Sequence, residues 1–264
     1  MIENKKEFKL ISKKNPKYLL PNALTIFGVC LGLSSIKFAL DANYAFAVIA
    51  IGFAAILDTL DGRVARLIKG TSKVGKELDS LTDVISFGVA PSFIMYFWAM
   101  NEIGKIGWMV VLIYTVCCAL RLARFNLTTI EENQDWKINF FEGVPSPAAA
   151  GLILLPLILN LSGLYEFKNN AVISCAAILM TSFLMVSKIP TYSLKRIAIP
   201  RNLAVFLLLG IGIVLSLLIF YPFKTLFISG IVYILIIPIS FIHYLKLNKK
   251  TLKDSSDEET EDIL

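Results

Sequence analysis

Four aspartates carry the chemistry this sequence can do. Asp58 and Asp61 are separated by two residues, and Asp79 and Asp83 by three. On a helix, either spacing puts both carboxylates of a pair on one face. Between the pairs runs Ile68–Lys76, with Gly70, Thr71, Ser72 and Gly75, which reads as a turn between antiparallel helices. Such a turn would bring the two acidic faces together. Unit charges about 4 Å apart repel by roughly 4 kcal/mol at an effective dielectric of 20. Protonation, basic partners or divalent cations could relieve this. Arg63, Arg66, Lys73 and Lys76 are near in sequence, yet an all-oxygen cluster is the preferred shell of Mg²⁺ or Mn²⁺. Two such ions would clamp a phosphate and its leaving group. Gly62, directly after Asp61, costs a helix about 1 kcal/mol relative to alanine; a large group approaching the backbone would explain it. Ala65 keeps the same face shallow. A polar hairpin that merely holds topology accounts for the bases but not for four aspartates at helical spacing.

The elements that must position these acids are apolar. The chain has 264 residues, 56% of them hydrophobic and 17% charged, with mean hydropathy +0.69. Soluble domains carry about 25% charged residues. Apolar stretches long enough to cross a bilayer recur. The expected spans are Leu19–Leu40, Tyr44–Arg66, Leu78–Ala99, Ile106–Ala123, Pro145–Leu164, Val172–Val186, Leu203–Tyr221 and Thr225–Leu245. The fold expected is therefore all-α and integral to the membrane, a bundle of about eight transmembrane helices. With the N-terminus inside, 22 of the 26 Lys and Arg fall on the inner side and only Lys37, Lys105, Lys168 and Lys224 on the outer. The positive-inside rule then puts both termini in the cytoplasm. Asp58 would lie about 21 Å along its helix from Tyr44, just below the inner interface. The net charge of +6 reads as an orientation signal, not as nucleic-acid binding.

Residues 1–17 form a basic juxtamembrane segment whose Phe8, Leu10 and Ile11 suit an interfacial helix. Residues 18–246 are the transmembrane domain, and its first span reads as retained, since no small-residue cleavage site follows it. Residues 247–264 read as a disordered cytoplasmic tail. Cys30, Cys117, Cys118 and Cys175 lie inside expected spans and read as packing residues. His243, the one histidine, reads as interfacial. Trp98, Trp108 and Trp136 suit an interfacial aromatic belt.

The run Asp58-x2-Asp61-Gly62-x2-Ala65-Arg66-x8-Gly75-x3-Asp79-x3-Asp83 resembles, at every fixed position, the signature of the CDP-alcohol phosphatidyltransferases. The stretches LDSLTDVISFGVAPS, RLARFN (Arg121–Asn126), FEGVPSPAAA (Phe141–Ala150), PNALT (Pro21–Thr25) and SKIPTYSLK (Ser187–Lys195) resemble the integral-membrane branch that uses serine. The resemblance implies transfer of a phosphatidyl group from CDP-diacylglycerol to L-serine, with release of CMP, in phospholipid biosynthesis. It implies metal ligation by Asp58, Asp61 and Asp79, with Asp83 bridging or acting as base. Gly62, Ala65, Arg66 and Gly75 would surround the nucleotide and diphosphate, and a homodimer in the cell's inner (plasma) membrane, among membrane lipids, would be the assembly.

Further residues carry two readings each. Asn22 and Thr25 could bond the cytosine or cap the first span. Arg121 and Arg124 could anchor the membrane edge or hold a phosphate or an acceptor carboxylate, for which a guanidinium fork is suited. Asn126 follows with a neutral hydrogen-bonding group. Ser146 lies between Pro145 and Pro147, where free amides at a helix start attract anions; it is placed near the acceptor. Lys188 and Lys195 read as anchors. Glycerol 3-phosphate, inositol phosphate or choline would be alternative acceptors. An intramembrane prenyltransferase fits less well, because both aspartate pairs fall in one hairpin. A secondary transporter fits less well because the acids sit at one edge.

Overall fold

The computed structural model describes residues 19–68, 73–127, 140–165, 170–193 and 201–261. The proposed interfacial helix, Trp136, Lys195 and the Gly70–Ser72 turn lie outside them.

Helix α1 (Leu19–Leu40) follows the expected span to the residue. Its buried face is Pro21, Thr25, Gly28, Gly32, Ser35 and Ala39, a row of mostly small side chains that lets backbones approach, as membrane helices prefer. At Gly32 the approach is extreme: an added Cβ would sit 2.9 Å from the Ser86 Cα. The opposite face of α1 exposes Ile26, Phe27 and Leu33, suited to hydrocarbon. Asp41–Asn43 turn the chain, with Ala42 at φ 58°, into α2 (Tyr44–Leu67). Helix α3 (Lys73–Asp83) then leads through a π-helical stretch, Val84–Val89, into α4 (Ala90–Trp98). Helix α5 (Lys105–Leu127) packs against that π stretch and against α8 (Asn170–Val186).

The expected fifth span is broken. It forms α6 (Ser146–Ile153) and α7 (Leu155–Leu161), parted at Leu154. Pro156 is the cause: it has no N–H for the Leu152 carbonyl, and its ring crowds the preceding turn. Helices α9 (Arg201–Phe220) and α10 (Pro222–Glu261) close the described chain. Helix α10 continues through most of the segment expected to lack regular structure. Extending an existing helix adds a hydrogen bond per residue fixed, without a new nucleation cost, and Lys, Leu and Glu are good helix formers.

Each expected span contains helix in its described part, the fifth in two pieces. Among the described residues, five helices are long and apolar enough to cross a membrane by length and composition: Leu19–Leu40, Tyr44–Leu67, Val74–Trp98, Lys105–Leu127 and Pro222–Asn248. The protein is thus an all-α, multi-pass membrane protein. Its core, including Phe87, Ile94, Met95, Tyr114, Ile153 and Ile178, draws on α4, α5, α6, α8 and the π stretch.

One element was not expected. Strands β1 (Phe140–Glu142) and β2 (Pro190–Tyr192) pair antiparallel, Phe140 opposite Tyr192 and Glu142 opposite Pro190. Both are too short for a period-two pattern to show in sequence. Phe140 stacks on Tyr192 at 5.4 Å, and the Tyr192 hydroxyl lies 2.8 Å from His243 Nδ1 on α10. His243 thus ties the ribbon to the last helix.

Candidate active site

Helices α2 and α3 bring the two aspartate pairs together. One carboxylate oxygen from each of Asp58, Asp61 and Asp79 lies within 4.8 Å of the others. Asp61 is buried, and the Thr25 hydroxyl on α1 donates to its Oδ2 at 2.7 Å. That contact fixes the carboxylate's orientation from a neighbouring helix, as supporting partners of metal ligands do. Thr25 therefore sits behind Asp61, whereas Asn22 lies one turn earlier on α1. Asp83 completes the group. Its carboxyl is at hydrogen-bonding range of Asp58, and its Oδ1 is buried without a protein donor. Two carboxyl oxygens facing each other need a proton or a cation between them. The all-oxygen donor set and the orphaned Oδ1 both fit a divalent ion.

The π stretch begins directly after Asp83. A single π turn inside an α-helix rotates the following residues and frees carbonyls. Here they find partners: Tyr114 donates to Phe87 O at 2.9 Å and Ser92 to Gly88 O at 2.7 Å. Ser86, inside the turn, bonds Gly28 O at 3.3 Å and so locks the turn to α1.

On its other side Asp83 meets a chain of polar contacts. The Ser146 hydroxyl donates to Asp83 Oδ2 at 3.1 Å and accepts from Arg121 Nη1 at 3.2 Å. Arg121 is 8% exposed, so it is no lipid anchor. Arg124 is different: its Nη1 bonds Val186 O at 2.9 Å, tying α5 to the end of α8. Asn126 donates to Ser80 at 2.8 Å and holds α5 to α3 beside Asp79. Of the four residues placed near the acceptor, Arg121 and Ser146 therefore reach Asp83, while Arg124 and Asn126 brace the helices around it.

Ser146 is held where it is by Gly143. With φ 73°, Gly143 accepts a bond from Thr191 Oγ1 at 2.8 Å and donates to Ile189 O at 2.9 Å. An added Cβ would lie 2.7 Å from Met185 O and 2.8 Å from Ser187 O. Gly143→Ala is expected to cost about 1–3 kcal/mol of strain and to displace Ser146. Lower thermal stability in detergent together with a reduced kcat is the expected result.

The outer side of α2 is open. A Cβ on Gly62 would meet only Arg66 Nη2, at 3.9 Å, so no protein packing demands glycine there. Arg66 Nε bonds Gly62 O at 3.0 Å. Arg63, Arg66 and Leu67 line a cleft of about 370 Å³. Ala65 lies on the same half-buried stretch, and Gly75 is half-buried on α3.

Residues 18–187 match the family model for CDP-alcohol phosphatidyltransferases. The chain is 40% identical over 212 residues to the CDP-diacylglycerol–serine O-phosphatidyltransferase of Helicobacter pylori (strain 26695), covering 80% of this chain and 86% of that protein. It is 35% identical over 221 residues to the protein of the same name from Mycobacterium leprae, covering 83% and 73%. For the Bacillus subtilis protein of that name the identity is 36% over 170 residues, covering 64% and 88%.

Proposed function

The chain belongs to the CDP-alcohol phosphatidyltransferase family, and from that premise we propose that it transfers the phosphatidyl group of CDP-diacylglycerol to L-serine, giving phosphatidylserine and CMP. The observation that carries the serine assignment, beside the names of its relatives, is the buried Arg121–Ser146–Asp83 chain. It sets a cation for an acceptor carboxylate next to a carboxylate able to take the acceptor's proton.

Each residue then has a task. Asp83 accepts the proton of the serine hydroxyl; Ser146, donating to Asp83 Oδ2, orients the carboxylate for that transfer. The freed oxygen attacks phosphorus of the phosphatidyl group, and the bond to the CMP oxygen breaks in line. Arg121 holds the acceptor so that its hydroxyl faces Asp83, with Arg124 and Asn126 keeping α5 in place. Gly62, Ala65, Arg66 and Gly75 give room and hydrogen bonds to the nucleotide and diphosphate, with Asn22 toward the cytosine. Asp58, Asp79 and Asp61, the last oriented by Thr25, together with Asp83 would hold a pair of Mg²⁺ or Mn²⁺ ions, which would supply positive charge to the diphosphate and the departing CMP. The excess of Lys and Arg beside this edge supports a cytoplasmic site, with both termini on that side of the plasma membrane. A homodimer is the assembly we assign.

Purified protein with CDP-diacylglycerol, Mn²⁺ and one alcohol at a time decides the acceptor. Mass spectrometry should find phosphatidylserine with serine. A product with glycerol 3-phosphate, inositol phosphate or choline, and none with serine, would overturn the assignment. A labelled phosphatidyl group trapped on the protein would overturn the direct displacement.

A further inference from the structure

Arg121 has a second side that the mechanism above does not use. Its Nη1 is bonded to Ser146, but its Nε is buried and meets no acceptor. Buried polar atoms are almost always paired, so an orphaned one marks a missing partner. Within electrostatic range of Arg121 lies Tyr233, on α10. Its hydroxyl is buried and also without a partner in ordinary hydrogen-bond geometry. The nearest side chain to hold it is Thr191 of β2. Thr191 gives its own proton to Gly143 O at 2.8 Å, so it meets Tyr233 with its oxygen and steadies the phenol without forming a well-aligned hydrogen bond. Two residues further on, Ser193 is buried and likewise unpartnered.

These atoms share one deficit. Arg121 Nε–H can only donate and Tyr233 O–H is free to donate, so one ligand that accepts from both would satisfy them together. A single guanidinium with neutral hydroxyls matches the one charge of a carboxylate better than a phosphate dianion. Arg121 connects this donor group to Asp83 through Ser146. An acceptor whose hydroxyl meets Asp83 would thus turn its charged end toward Tyr233.

We propose that Tyr233, braced by Thr191, binds the carboxylate of the acceptor together with Arg121 Nε, and so determines which alcohol the enzyme accepts. The inference rests on the transferase reading and adds to it a residue from α10. Tyr233 lies beyond residues 18–187, the part that matches the family model, inside an otherwise apolar run, so nothing in its sequence context marks it.

The test compares Tyr233→Phe with the unaltered full-length protein, using CDP-diacylglycerol, Mn²⁺ and serine. Loss of one hydrogen bond to a charged group should raise the serine KM about tenfold. The KM for CDP-diacylglycerol and kcat at saturating serine should stay nearly unchanged. Thermal stability should change little, because the deleted oxygen makes no well-aligned hydrogen bond within the protein. An unchanged serine KM overturns the proposal. So does a parallel rise in both KM values with a lower melting temperature, which would show a packing role. Tyr192→Phe removes a phenol oxygen from the ribbon that carries Thr191, one bonded to His243 instead, and should leave the serine KM unaltered. An equal shift there would mean that ribbon integrity is being read, against the proposal. The two readings fail separately. Wild-type use of an alcohol without a carboxylate would overturn serine and the carboxylate site together; serine use with no Tyr233→Phe effect would overturn Tyr233 alone.

Discussion

Asp83→Asn is expected to lower kcat by about a thousandfold, within the range typical of a lost general base, while CDP-diacylglycerol still binds. The substitution keeps the shape of the side chain. Its amide oxygen can still accept from Ser146, now at 3.1 Å from Asp83 Oδ2, so the loop after β1 should hold. What disappears is the capacity to take a proton. The position has two readings, base and metal bridge, and metal dependence separates them. If Asp83 served only as a ligand, raising Mn²⁺ would restore turnover, because weakened binding can be overcome by mass action. As a base, it cannot be rescued by metal at any concentration. Near-normal turnover of the variant would remove Asp83 from the reaction altogether.

The same residue shows how far the sequence could be read. Helical spacing alone put Asp58 and Asp61 on one face and Asp79 and Asp83 on another, and the turn residues between them implied their meeting. These are local relations, and the helix period enforces them. The π turn after Asp83 was not legible, because it is held by tertiary contacts, with Tyr114 and Ser86 bonding Phe87 O and Gly28 O across helices. Arg121 and Arg124 look equivalent in RLARFN, one turn apart. Only the arrangement of α5 against α6 and α8 sends one inward to Ser146 and the other to Val186 O. The ribbon β1–β2 was invisible for a third reason. Two strands of three residues carry no periodicity, yet they fix Gly143 and thereby Ser146. Hydropathy located the helices well, including all of α1, but it could not see Pro156 dividing one stretch into α6 and α7, where a proline near a helix start and one inside a helix look alike.

Asp79→Asn should reverse the order of stability between metal-free and metal-loaded protein. In the absence of a divalent ion, Asp58, Asp61 and Asp79 bring carboxylate oxygens within 4.8 Å of one another. At an effective dielectric of 20, a pair of unit charges at that range repels by roughly 3 kcal/mol, and mobile counter-ions relieve part of it. Asparagine at position 79 removes one charge at nearly constant volume. In EDTA the variant should therefore melt about 4 °C above the unaltered protein, given a shift of roughly 2–4 °C per kcal/mol for chains of this size. Saturating Mn²⁺ acts in the opposite sense. At a hundred times its dissociation constant, an ion that binds only the folded state adds about 2.7 kcal/mol, and the variant, lacking a ligand, forfeits most of that gain along with its activity. The expected outcome is a crossing: the variant melts higher without metal and lower with it. If neighbouring bases neutralised the aspartates, losing Asp79 would instead lower the metal-free melting temperature. If the four acids merely decorated a solvated hairpin, Mn²⁺ would move neither protein, and the crossing would not occur.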